Sequence, residues 1–106
     1  MAMGSEVYVR AAEELNRLFE RLKHSSREEL LRLVEHPMES SLRISGKKFS
    51  IGAWAEMRGG ERLSVVAEVR RNFILGMSKV QASGFYLEPD GRITPMVDKD
   101  IWAHGY

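Results

Sequence analysis

The chain contains no cysteine. Disulfides, thiolate metal sites and a cysteine nucleophile are therefore excluded outright. Proline is scarce as well. The three present, Pro37, Pro89 and Pro95, each fall where a periodic pattern stops. No apolar run approaches the length needed to cross a bilayer. The opening "MAMGSEVYVR" lacks the apolar segment of a secretory signal. These absences lead us to expect a cytoplasmic protein with no membrane partner. Neither sign of charge prevails: Lys+Arg is 16, Asp+Glu is 15 and the net charge is +1. That balance argues against a dedicated nucleic-acid binder, while a local basic patch stays open.

What is present reads as one α+β domain over residues 1–106. Residues 1–5 are set aside as an expression remnant or a disordered start. The apolar fraction is 43% and the charged fraction 29%, enough for a single core without a cofactor to organise it. Tyr8, Ala11, Ala12, Leu15, Leu18, Phe19 and Leu22 recur at steps of three and four, which predicts a helix with one apolar stripe. Ser5 is its expected N-cap. A second helix is expected to start at Ser26, where Ser26 and Glu29 form the S-x-x-E pattern of a capping box. Leu30, Leu31, Leu33 and Val34 are its expected buried side. Pro37 disfavours helix at His36, so the helix should end near Glu35.

The apolar period then falls from about four to two. "MESSLRIS", "KFSIGAWAEM", "RLSVVAEVR" and "VQASGFYLE" read as four strands, with "RITPM" as a short fifth. Gly46, the Gly59-Gly60 pair and "PDG" at Pro89 to Gly91 supply the turns. Turns this short join antiparallel neighbours, which predicts a meander. Asp98 is placed as the cap of a last helical turn that docks through Ile101 and Trp102. The expected architecture is therefore two N-terminal helices packed on a four- to five-stranded antiparallel meander sheet, with a short C-terminal helix.

Catalytic, cofactor-binding and metal-ligating motifs are not found. His24, His36 and His104 form no H-x-H or H-x-x-x-H pair. Pro89-Asp90 looks like the start of a metal-dependent nuclease signature, but no E-x-K follows it. The serine pairs lack a G-x-S-x-G context, and the glycines form no phosphate loop. Glu56 and Glu68 share a face by alternation. Cross-strand pairing with Arg43, Arg58 or Arg70 explains them better than acid–base work does.

Two features point instead to a partner. Trp54 alternates onto the face opposite Phe49 and Ile51, beside Val66, with Tyr86 as a further neighbour. The C-terminal segment, through Trp102 and Tyr106, is expected to cover it. Uncovered, it is an aromatic platform for a protein, or for stacked bases with Arg43, Lys47 and Lys48 nearby. The second feature is "RRNFILGMSK". Phe73, Ile74 and Met77, rimmed by Arg70 and Arg71, have the composition of an interface centre. Tucking of Phe73 and Leu75 into the core edge is the plainer expectation. The favoured expectation is a small non-enzymatic interaction or regulatory module that binds a protein or a second copy of itself. A toxin-neutralising immunity protein is one concrete form, by analogy of size alone. The alternatives are a ligand binder or enzyme with a pocket between helices and sheet, using Glu56, Glu68, Tyr86 or His104, and a weak single-strand nucleic-acid binder on the sheet face.

Overall fold

The computed structural model describes residues 2–72 and 78–103. Two helices, α1 (Ala2–Lys23) and α2 (Arg27–Glu35), precede four long strands: β1 (Met38–Ile44), β2 (Lys47–Arg58), β3 (Arg62–Asn72) and β4 (Ser78–Leu87). A short β5 (Ile93–Pro95) and a final helix α3 (Asp98–Ala103) follow. The five strands form one antiparallel sheet in sequence order, so the expected meander with two helices on it is present. No described helix is long and apolar enough to cross a membrane.

α1 starts at Ala2, which places Ser5 inside the helix rather than at its cap. Its stripe is close to the predicted one. Val7, Ala11, Leu15, Leu18 and Leu22 are buried, and Tyr8 and Phe19 pack against the core at their edges. Tyr8 meets Phe49 edge-on with ring centroids 6.3 Å apart, and Phe19 meets Phe85 in the same way at 5.8 Å. Edge-to-face geometry sets a positive ring rim against a negative ring face. The sheet side of this core is Phe49, Ala53 and Ala55 on β2, Leu63, Val65, Ala67 and Val69 on β3, and Phe85 and Leu87 on β4.

α2 opens with the full capping box. The Glu29 backbone N–H donates to Ser26 Oγ at 3.2 Å, and the Ser26 N–H donates to a Glu29 carboxylate oxygen at 3.1 Å. Two otherwise orphaned donors are thereby satisfied. The helix ends at Glu35, as Pro37 requires. Its buried side is narrower than expected. Leu30 is buried and Leu33 partly so, but Leu31 and Val34 stay 37% and 38% exposed. At 100° per residue, a stripe centred between Leu30 and Leu33 turns Leu31 away from the sheet and leaves Val34 on its flank.

The β1–β2 turn has Ser45 and Gly46 both at positive φ (51° and 78°), as a two-residue hairpin loop demands. The β2–β3 connection departs from expectation. It is a 3-10 turn over Gly59–Glu61, and the positive φ values fall on Gly60 and Glu61 rather than on Gly59 and Gly60. The outer sheet face carries a second, smaller core. Val66, Met96 and Ile101 are buried there, with Trp54, Ala82 and Tyr86 packed around them. The segment from β5 into α3 thus covers the β3–β4 half of this face. The side chain of Trp102 and all of Tyr106 lie outside the described residues, so the expected cover is seen through Met96 and Ile101. α3 begins at Asp98, inside the helix rather than before it.

Candidate functional site

On the outer face, beside the second core, the described residues form a cleft of about 300 Å³. Pro37, Met38 and Glu39 form one rim, at the start of β1. Gly52 lies across from Glu39 on β2 and Glu68 lies across from Gly52 on β3, so three adjacent strands meet at the floor. Trp54 stands at one end, and Arg70 and Ser50, which oppose each other, stand at the other. Glycine at 52 is required by a close approach. A Cβ there would lie 2.6 Å from the Met38 carbonyl oxygen, well inside contact distance.

Trp54 pairs directly with Val66 across the β2–β3 ladder. It is half-buried: it packs against the second core and also lines the cleft. Glu68 pairs with Arg70 two residues along the same strand at 3.4 Å. Burial pushes the Glu68 carboxyl above the usual glutamate range. The Arg70 guanidinium opposes that rise, and the Glu39 carboxylate adds to it. The Arg70 Nε is buried with no acceptor among the described residues. The cleft therefore offers a flat aromatic wall and one desolvated charge pair, which is the composition of a recognition pocket.

The residues expected to meet a partner divide into five groups. Trp54 and Arg70 line this cleft. Val66 has 0% exposure beneath Met96 and Ile101, so it supports Trp54 and presents no surface of its own. Tyr86 is committed elsewhere. Its hydroxyl donates to Asp100 at 3.2 Å, and the Arg62 guanidinium stacks 3.7 Å from its ring centre, so it anchors α3. Arg71 points to the opposite face, where it donates to the Tyr8 hydroxyl at 3.2 Å. Arg70 and Arg71 therefore form no common rim, because neighbours along a strand face opposite ways. Phe73, Ile74, Leu75 and Met77 lie outside the described residues, as does His104.

Glu56 and Glu68 do not converge. Glu68 opposes Gly52, four residues from Glu56, which is about 13 Å along the strand. Each is paired with an arginine, but along its own strand rather than across: Glu56 with Arg58 at 3.2 Å and Glu68 with Arg70. The basic residues are not near Trp54 either. Lys48 is six residues away on β2, about 20 Å, and the acids Glu39 and Glu68 line the cleft that Trp54 bounds. This cleft lies on the outer face; further clefts lie where helix meets sheet, one of about 360 Å³ between α1 and the β1–β2 edge and one of about 610 Å³ between α2 and Met57. No grouping of three or more histidine, aspartate or glutamate side chains suited to a metal occurs among the described residues.

Glu39, Ser50 and Gly52 were not anticipated as cleft residues. A signal for them existed. A two-residue turn at Ser45-Gly46 fixes Ile44 opposite Lys47, and counting back sets Glu39 opposite Gly52. No known protein family, curated protein or solved structure matches the chain, so the geometry of this cleft carries the functional reading.

Proposed function

We propose that the protein is a non-enzymatic interaction module and that the Trp54 cleft receives a segment of a protein partner. The observation that supports this is the cleft itself, which half-buried Trp54 lines together with a partly desolvated Glu68–Arg70 pair. An apolar side chain of the partner packs against the Trp54 ring. Glu68 and Arg70 fix its direction through hydrogen bonds to polar groups on either side. Aromatic anchors flanked by a few fixed polar groups are the usual centres of such contacts. Glu56 and Glu68 each hold an arginine rather than one another, an arrangement that suits recognition better than acid–base chemistry.

The test is selection of binding peptides from a random displayed library against the immobilised chain, followed by titration with variants. Peptides that bind the cleft should lose at least about tenfold in affinity against Trp54→Ala and Glu68→Gln. They should bind Leu31→Ala, on the far side of the sheet, as they bind the native chain. Equal affinity for all three variants would remove the cleft as the site.

A further inference from the structure

We propose that β1 pairs with β1 of a second copy of the chain, antiparallel, about a two-fold axis through Ser41. Among the described residues β1 pairs only with β2, so it is a sheet edge. It is seven residues long, with a regular register and no internal proline. The other edge, β5, has three residues and ends in Pro95, which protects it. An exposed edge of this length is a template for another strand.

The chemistry of the edge selects the occupant. The two-residue turn closes on Ile44 and Lys47 as a hydrogen-bonded pair. Alternation then turns the backbone N–H and C=O of Arg43, Ser41 and Glu39 away from β2, toward the open side. An antiparallel copy centred on Ser41 sets Ser41 against Ser41 and Glu39 against Arg43, twice. All three outward residues of each chain then form hydrogen-bonded pairs with those of the other. Sliding the copy by two residues either way opposes Ser41 to Glu39 or to Arg43 and leaves both charges unmatched.

Charge favours the same register. Arg43 lies directly across from Lys48 on the same face, a like-charge pair at the closer, non-hydrogen-bonded spacing. Lys47 and Lys48 are exposed beside it. Among the described residues neither Arg43 nor Lys48 has an ion-pair partner, and neither does Glu39. The other end of the strand is acidic, with Glu39 and Glu68 close enough to interact. Antiparallel pairing lays the acidic end of one copy along the basic end of the other. On the helix side it sets half-buried Met38 against the already buried Ile44 and half-buried Leu42 beside Ser40, so the apolar surface that closes is that of Met38 and Leu42.

The seam also reaches the cleft. Glu39 forms its rim, so Arg43 of the second copy comes to stand at that rim. That consequence rests on the cleft being a binding site; the pairing itself does not, and its test needs no ligand. The test is solution mass by light scattering at high micromolar chain concentration. The native chain should run at twice 12.1 kDa. Ser41→Pro removes an N–H that faces away from β2, so it should give a monomer with an unchanged circular dichroism spectrum. Glu39→Arg and Arg43→Glu should each be monomeric alone and form a mixed dimer when combined, since each then carries the charge the other needs. A monomeric native chain would overturn the proposal, as would a dimer that survives Ser41→Pro and Glu39→Arg. Failure of the two charge variants to associate would overturn the register.

Discussion

Trp54 and Val66 face each other across β2 and β3, yet only one of them reaches the surface. Val66 is sealed by Met96 and Ile101, while Trp54 is sealed on one side and lines the cleft on the other. Truncating them should therefore separate stability from binding. Val66→Ala should lower unfolding free energy by about 2 kcal/mol and reduce peptide affinity far less than Trp54→Ala does. Trp54→Ala should cost about 2 kcal/mol, below the range for a fully buried aromatic, and abolish binding. Chemical denaturation read beside the peptide titration checks both. Complete unfolding of Trp54→Ala would make the residue core alone.

The second core depends on a polar tether. The Tyr86 hydroxyl donates to Asp100 on α3. Tyr86→Phe should remove about 1 kcal/mol of stability. Amide exchange should quicken in α3 and stay slow in β2 and β3, because the bond holds only the C-terminal cover. Uniform quickening across the sheet would contradict this division.

Two glutamates should give opposite pH responses. Thr94 donates to the Glu88 carboxylate at 2.7 Å and Arg62 donates to both of its oxygens at 3.1 Å, which holds the group below its ordinary value of 4.5. Its contribution is full above that ordinary value and is lost as the pH falls through the lower folded value. Glu88→Gln should therefore weaken the protein at neutral pH and flatten its acid limb. Glu68 is raised by burial, so it favours the folded state least when ionised. Stability linked to it is full below 4.5 and declines as the pH rises through the higher folded value. Glu68→Gln should remove that decline. Denaturation midpoints measured across the acidic range check both signs.

The capping box isolates the contribution of α2. Ser26→Ala frees the Glu29 N–H from its acceptor and should cost about 1 kcal/mol. Ser26→Asp should recover most of it, since aspartate caps as well. Thermal midpoints of the two variants provide the measurement. Equal loss in both would assign the effect to packing at Ser26 rather than to capping.

Local chemistry determined much of this protein. Helix periodicity, the capping box, Pro37 and the strand alternation each act within a few residues, so the elements and their inward faces were legible. The Ser45-Gly46 turn even fixed the β1–β2 register, and with it the outward phase of the edge. The β2–β3 turn was less accessible, although alternation already placed Trp54 beside Val66. A two-residue turn at Gly59-Gly60 would have opposed Trp54 to Val65, a core-facing residue. The structure takes a third residue, Glu61, into the turn at positive φ, which sets Trp54 opposite Val66 and keeps each face consistent. Burial of Leu63, Val65, Ala67 and Val69 on one face outweighs the unfavourable backbone of one exposed glutamate. The fate of the outer face was decided by tertiary structure alone. Met96 and Ile101 reach Val66 from far along the chain, and among the described residues they mark the boundary between covered sheet and the Trp54 cleft. That boundary depends on how much sheet the last segment can span, a distance no local pattern encodes.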